Sequence, residues 1–396
     1  MTELASPVRQ RPGAALAAAT VLSLPLGSIY AFSVLLAPLE TLLSASRSDL
    51  ASVFGVSVVF FTLGANIAPR LFGRIGAPAL VALTVTFAAG GVALASIAAT
   101  LMQLIAGYGV LFALGGGLAY VVVQQCVNAS PISRPGLVNG YLVSLFPLGA
   151  MMAAPAFGWG IEAVGVRATL AGLAVVLAVA GAAATVLTAM SGVVLARTGA
   201  VVAGDAGAAA GSSVVFWKIF TLFFLAAAAG LMVLSQAAGM VAAYGASQAA
   251  ALAATTGITA AIAAARLTGG WLVDRLPVPF VAAAAQSIAL LGAIVLTVWP
   301  GPVTAMLTLA MIGVGYGLIS GVTVGAVAFY WPKAMFGRIA SRTYIAWCFA
   351  ALSLPVLAAR LFDLTGGYRT AVMVAGGANL LAVLLALTLP RQQRRS

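Results

Sequence analysis

The chain has 396 residues, of which 63% are hydrophobic and only 7% are charged, and its formal net charge is +12. A water-soluble globular domain cannot bury that much apolar surface, so the composition predicts a membrane protein. The basic residues lie in short segments between apolar runs and form no aromatic-interleaved patch, which argues against nucleic-acid binding.

Apolar runs of about 20 residues predict twelve transmembrane helices, because an α-helix of that length crosses ~30 Å of hydrocarbon. The ten-residue alternation of a transmembrane β-barrel is absent. The first run ends without a small-residue cleavage site, and we interpret it as a retained span. In chain order the runs cover approximately 14–39, 49–72, 78–98, 101–127, 136–160, 167–192, 214–241, 246–273, 278–298, 302–330, 337–361 and 368–389.

The distribution of lysine and arginine predicts the orientation, because cytoplasmic loops carry an excess of both. With a cytoplasmic N-terminus, the outer segments hold only Arg47, Arg167, Arg360 and Arg369. The inner segments hold Arg9, Arg11, Arg70, Arg74, Arg134, Arg197, Lys218, Arg275, Lys333, Arg338, Arg342, Arg391, Arg394 and Arg395. We therefore expect a multi-pass protein of a bacterial inner membrane with both termini in the cytoplasm.

The sequence offers little for catalysis or metal binding. It contains no histidine, which removes the commonest general base and metal ligand. Its two cysteines, Cys126 and Cys348, have no metal-ligand spacing. We expect no enzymatic activity, no cofactor and no metal site, and we favour a monomer.

An internal repeat divides the chain. With a shift of 200 residues, Gly115 to Tyr120 (GGGLAY) aligns with Gly315 to Ser320 (GYGLIS), and Pro155 aligns with Pro355. These matches predict two parallel repeats of six spans, covering residues 1–192 and 214–396. The Ala/Gly-rich segment 193–213 between them is predicted to be a cytoplasmic linker.

The segment Gly270 to Arg275 (GWLVDR) resembles the cytoplasmic loop motif of the major facilitator superfamily. With twelve spans and a parallel repeat, the whole chain resembles that superfamily, in which two halves rock about a midplane site. The resemblance implies conformational gating roles for Asp274, Arg275 and Arg74. In the first-half copy of the motif, Gly73 stands where the aspartate is expected.

Arg266 lies inside the eighth apolar run, eight residues before Asp274, or about 12 Å deep at 1.5 Å per residue. Its charge is permanent and costs roughly 2.5 kcal/mol or more if unpaired in the membrane. None of the acidic residues is predicted at that depth; they are Glu3, Glu40, Asp49, Glu162, Asp205, Asp274 and Asp363. We favour a carboxylate site at Arg266 over a structural arginine that snorkels or pairs internally.

The segment Ala264 to Arg275 (AARLTGGWLVDR) is similar to the eighth span of the oxalate:formate antiporter family and of monocarboxylate transporters. The stretches 27–33, 115–120 and 362–368 are also similar to those families. The resemblance implies that Arg266 binds the substrate carboxylate. It further implies that Tyr30, Tyr120 and Tyr316 contact the carboxylate and that Phe146 forms an apolar wall, although these tyrosines could instead simply pack.

Other positions depart from these families or lack a counterpart in them. Trp347 stands where the oxalate exchanger has a lysine, which favours a single carboxylate with an apolar or weakly polar tail; a core aromatic is the alternative. Asn66, at the repeat position of Arg266, and Gln236 are expected in the same cleft. Hydrogen bonding between helices remains an equal alternative for Asn66. Ile262 stands where relatives carry an aspartate or asparagine, so no side-chain proton carrier is evident.

The expected function is secondary transport of small organic anions, lactate- or pyruvate-like monocarboxylates, by proton-linked alternating access. Carboxylate exchange of the oxalate/formate type and passive transport remain open. An exporter of drug-like compounds and a non-transporting sensor are less well supported, because no span holds a carboxylate for cations and no soluble appendage is evident. The expected partners are a small carboxylate, protons and membrane lipid.

Overall fold

The computed structural model describes residues 10–196 and 213–391, and its long elements are all helices, α-helical apart from a 3₁₀ segment at Gly27–Ala31 and a π-helical segment at Ile105–Phe112. Most of the predicted linker, residues 197–212, lies outside the described residues, as do Arg9, Arg394 and Arg395, so the domain boundaries stay a prediction. In chain order the helices are α1 (Pro12–Leu43), α2 (Arg47–Leu71), α3 (Ala77–Ser96), α4 (Leu101–Ala129), α5 (135–164), α6 (166–191), α7 (Ser213–Ala243), α8 (Gln248–Val273), α9 (Val278–Val298), α10 (Pro302–Tyr330), α11 (Phe336–Thr365) and α12 (Arg369–Leu387).

Ten helices of the described chain are long and apolar enough to cross a membrane. One of them, Pro135–Ser191, has 57 residues and is interrupted only at Gly165, where φ is +82°. Glycine adopts that backbone conformation without steric cost, so this element supplies both α5 and α6. α8 adds a further 26-residue helix, about 39 Å long. The predicted all-α membrane fold is confirmed, and the number of spans agrees with the apolar runs.

The same helix pairs form in both halves. In the first half α1 packs on α5, α2 on α4 and α3 on α6. In the second half the corresponding pairs are α7 with α11, α8 with α10 and α9 with α12. This repetition of packing matches the sequence repeat.

The two halves meet along α5 and α8 and along α2 and α11. Glycines permit the first of these contacts: a Cβ on Gly136 would lie 2.3 Å from the carbonyl oxygen of Gly270. A Cβ on Gly140 would lie 2.8 Å from the carbonyl oxygen of Arg266. The close approach of α5 therefore brings the first half against the part of α8 that carries Arg266.

α1 is interrupted by a 3₁₀ segment, Gly27–Ala31, in the middle of the bundle. Pro25 lies just before the segment and has no N–H for the carbonyl of Val21, so one α-helical hydrogen bond is missing there. Gly27 lies against the backbone of α5, where a Cβ would be 2.2 Å from the carbonyl oxygen of Phe146. The interruption places Tyr30 beside α5 at the centre of the bundle.

Candidate functional site

Arg266 is buried in α8, with 7% of its surface exposed, and it binds both halves of the molecule. Its Nη1 donates to the carbonyl oxygen of Val143 in α5 at 3.0 Å. Its Nη2 donates to the hydroxyl of Tyr316 in α10, also at 3.0 Å. Its Nε is buried without a hydrogen-bond partner among the described residues.

The charge of Arg266 meets only neutral oxygens. Within residues 10–196 and 213–391, no carboxylate oxygen lies within 4.0 Å of its guanidinium nitrogens. A guanidinium has five N–H donors, and the two bonds above use two of them. A buried charge with neutral partners and a free N–H is incompletely compensated by this part of the chain.

Tyr316 connects Arg266 to Trp347. Its hydroxyl oxygen accepts from Arg266 and also from the indole Nε1 of Trp347, at 3.1 Å. The guanidinium carbon lies 5.3 Å from the centroid of the Tyr316 ring, within cation–π range. Gly230 of α7 makes room for this ring, because a Cβ there would lie 2.2 Å from the Tyr316 Cβ. With two bonds accepted, the Tyr316 hydroxyl hydrogen remains available as a donor.

Aromatic rings form the rest of the cluster. Phe146 contacts Tyr30, Phe61 and Tyr120 edge to face, with ring centroids 6.3, 5.8 and 5.0 Å away. The hydroxyls of Tyr120 and Tyr344 are hydrogen-bonded to each other across the two halves. A small cavity of about 10 Å³, room for about one water molecule, is lined by Tyr30, Phe61, Tyr120, Phe146, Phe223, Arg266, Tyr316, Ser320, Tyr344 and Trp347.

Six of the predicted binding residues thus lie together: Arg266, Tyr30, Tyr120, Phe146, Tyr316 and Trp347. Four further lining residues were not predicted: Phe61, Phe223, Ser320 and Tyr344. Tyr344 precedes Trp347 by three residues, so helical spacing alone places both on one face of α11. That spacing was a usable signal for Tyr344.

Asn66 and Gln236 are not among the residues lining this space. The Asn66 amide donates to the carbonyl of Ser341 at 3.0 Å and connects α2 to α11. The Gln236 amide donates to the carbonyl of Pro355 at 2.7 Å and connects α7 to α11. Each amide is satisfied by a backbone carbonyl of a neighbouring helix, the alternative considered for Asn66.

The chain matches no protein-family model and no curated protein. Solved structures do match it. A proton:xylose symporter, XylE, bound to 6-bromo-6-deoxy-D-glucose aligns with TM-score 0.75 and 13% identity over 96% of both chains. FucP in its outward conformation aligns with TM-score 0.70 and 13% identity over 94% of this chain and 97% of that one. An outward-facing bacterial homologue of the iron transporter ferroportin, with soaked iron, aligns with TM-score 0.73 and 12% identity over 96% of this chain and 99% of that one.

This chain has the major facilitator fold. At these identities the likeness concerns the fold alone, and the substrates of those proteins are not transferred. Within the major facilitator fold, the Arg266 cluster lies at the contact between the two six-helix halves.

A second set of contacts joins the halves on the face where α1 begins and α12 ends, here called the terminal face. Asp274, at the end of α8, accepts from the backbone N–H groups of Gly136 at 2.8 Å and Leu137 at 2.7 Å. Both groups belong to the first turn of α5, where N–H groups have no partner within the helix. The carboxylate also faces the positive end of the helix dipole, so it holds the two halves together.

The matching contact at α11 uses a neutral side chain. Gln125 of α4 accepts from the backbone N–H of Gly337 at 2.6 Å and donates to the carbonyl of Lys333 at 3.0 Å. The Lys333 ammonium donates to the carbonyl of Ser130, at the end of α4, at 3.1 Å.

The two arginines predicted to gate have different surroundings. The Arg275 guanidinium lies 3.9 Å from the ring centroid of Trp271, in the last turn of α8. Arg74 is exposed in the loop after α2. Among the three predicted gating residues, Asp274 makes hydrogen bonds that bridge the halves.

Proposed function

We propose that the protein is a secondary transporter of small monocarboxylates that binds the substrate carboxylate at Arg266. The observation that carries this proposal is a buried guanidinium, between the two halves, with a free Nε–H and no carboxylate partner among the described residues. In a membrane protein such a charge marks a substrate pathway by default. A planar set of N–H donors matches the two oxygens of a carboxylate.

The neighbours of Arg266 favour a substrate with one carboxylate group over a dicarboxylate. The cluster contains a single cation, and Trp347 occupies the position at which a second cation would suit a dicarboxylate. The free hydroxyl hydrogen of Tyr316 offers a further donor to a bound carboxylate. Phe61, Phe146 and Tyr120 provide apolar surface for a short apolar or weakly polar tail.

The proposed mechanism is alternating access of the segments 1–192 and 214–396, with both termini in the cytoplasm of a bacterial inner membrane. A ligand drives a conformational change by its differential affinity for the two states. Here the substrate anion neutralises Arg266 and thereby lowers the cost of carrying this charge through the low-dielectric interior as the halves reorient. Because no histidine exists in the chain and the described cluster holds no acid, a symported proton travels on the substrate or through water.

Carboxylate exchange is the second candidate. The observation in its favour is again the incompletely compensated Arg266, since an empty site carries a net charge through the low-dielectric interior as the halves reorient. An anion in the site removes that penalty, which couples inward movement of one anion to outward movement of another.

The test is uptake of radiolabelled lactate, pyruvate, formate and oxalate into proteoliposomes, with and without a pH gradient and with and without an internal counter-anion. We expect pyruvate or lactate uptake that Arg266→Ala lowers by roughly 100-fold or more, since a charged bidentate contact is lost. Arg360→Ala, an exposed arginine on α11, is the matched control and should keep normal uptake. Normal carboxylate uptake by Arg266→Ala would overturn the proposal, and a strong preference for oxalate would overturn the role given to Trp347.

A further inference from the structure

The acceptor that Arg266 finds on α5 exists because of a proline. In an α-helix the carbonyl of Val143 would accept from the N–H of residue 147. Residue 147 is proline, which has no N–H, yet the backbone stays helical through this position. Val143, Phe146 and Pro147 are all buried, so water does not readily replace the missing donor. A buried carbonyl without a donor is costly and is normally satisfied by another group.

Arg266 is that group, and it belongs to the opposite half. Its Nη1 lies 3.0 Å from the Val143 carbonyl oxygen, although the two residues are 123 positions apart in the chain. Gly140 allows the approach, and the Ser144 hydroxyl donates to the carbonyl of Ala263 at 3.1 Å one turn along α8. The bond from Arg266 is therefore part of the contact that joins α5 to α8.

We propose that Pro147 is a positioning residue for Arg266. Pro147 leaves the Val143 carbonyl without a helical donor, and this carbonyl holds the guanidinium and thereby joins the two halves. The bond lasts until a substrate carboxylate replaces the Val143 carbonyl as the partner of Arg266. The second part rests on the proposed function. The Val143 carbonyl supplies a neutral substitute for the missing anion in the empty protein. A bound carboxylate competes for the same guanidinium and thereby weakens one bond between the halves.

The same helix offers a matched control. Pro155 also lies within α5 and frees the carbonyl of Met151, but Pro155 is exposed and no hydrogen bond to Arg266 involves this region. Replacing either proline by alanine restores one helical N–H and removes one ring. A general effect of straightening α5 should therefore appear in both variants, whereas an effect through Arg266 should appear only in Pro147→Ala.

The first experiment measures pyruvate binding to the full chain in lipid nanodiscs by isothermal titration calorimetry. We expect Pro147→Ala to bind pyruvate about tenfold more tightly than the wild type, because the Val143 carbonyl no longer competes for the guanidinium. Pro155→Ala should stay within about twofold of the wild type. Unchanged or weaker binding by a correctly folded Pro147→Ala protein would contradict the proposal, as would an equal gain in both variants.

The second experiment needs no substrate. Val324 of α10 is 3% exposed and lies one turn beyond Ser320 towards the terminal face, so a cysteine there reports opening of that face. In Val324→Cys protein with Cys126→Ser and Cys348→Ser, we expect Pro147→Ala to raise the rate of maleimide labelling about fivefold. In an Arg266→Met background the same proline change should add nothing, because the bond is already absent.

The two experiments separate the two proposals. If the wild type binds no carboxylate and Pro147→Ala still accelerates labelling only when Arg266 is present, the proposed function fails and the role of Pro147 stands. If Pro147→Ala accelerates labelling equally with and without Arg266, or not at all, the role of Pro147 is overturned whether or not pyruvate binds.

Discussion

The two contacts that close the terminal face hold equivalent helices by different chemistry. In one, the carboxylate of Asp274 binds two N–H groups in the first turn of α5. In the other, the amide of Gln125 binds a single N–H group in the first turn of α11. In both halves, backbone N–H groups at the start of the fifth helix are bound by a side chain from the other half. The side chain that binds them differs between the two halves.

The difference follows from where each partner is attached. Asp274 lies after the second span of its half, whereas Gly73 holds the corresponding position in the first half and has no side chain to offer. Gln125 comes from α4 instead and reaches the same kind of helix start. Because a carboxylate gains from the helix dipole and an amide does not, the Asp274 contact should be the stronger of the two.

Asp274→Ala should break the stronger contact and have the largest effect in this comparison. It leaves two N–H groups at the start of α5 without their partner and removes a favourable charge, a loss of roughly 2–4 kcal/mol. We expect maleimide labelling at Val324→Cys to rise at least tenfold. Asp274→Asn keeps one acceptor oxygen without the charge, so its labelling rate should lie between those of the wild type and Asp274→Ala. A wild-type labelling rate in Asp274→Ala would show that this carboxylate does not hold the halves together.

Gln125→Ala should have a smaller effect on the same measurement. It removes one neutral acceptor from Gly337 and one donor to Lys333, a loss of about 1–2 kcal/mol. We expect labelling to rise less than in Asp274→Ala, by about threefold to tenfold. A larger effect for Gln125→Ala than for Asp274→Ala would reverse the proposed ranking of the two contacts.

Arg74→Ala should have the smallest effect. The motif resemblance predicts a gating role for Arg74, but the side chain is exposed in the loop after α2. Exposed surface substitutions usually change stability by less than about 0.5 kcal/mol. We expect labelling and transport within twofold of the wild type. A defect as large as that of Asp274→Ala would restore the role that the motif assigns to Arg74.

The fold could be predicted from the sequence because membrane crossing imposes one length on every span. A single charge in an apolar run was likewise enough to select Arg266, and the family resemblance of the fourth and tenth spans pointed to Tyr120 and Tyr316. These signals are local or repeat along the chain, so they need no knowledge of which helices touch.

The remaining residues depend on contacts between helices. The partnership of Tyr344 with Tyr120 is visible only when α11 is placed beside α4. Asn66 was predicted to lie in the cleft only because it occupies the repeat position of Arg266. In the structure α2 packs on α11, and the Asn66 amide donates to the backbone carbonyl of Ser341. The loop motif places an acid after the second span of a half, so it gives no signal for the contact of Gln125, which comes from a different helix.

The reversal at Gly165 has a mechanical consequence. α5 runs into α6 across a single non-helical residue, so no slack separates the two helices. Any displacement at that end of α5 is transmitted directly to α6. It also reaches α3, which lies close to α6 where Gly181 faces Val85. A displacement of α5 near Phe146 is therefore passed on to α6 and α3. We expect these three helices of the first half to move together.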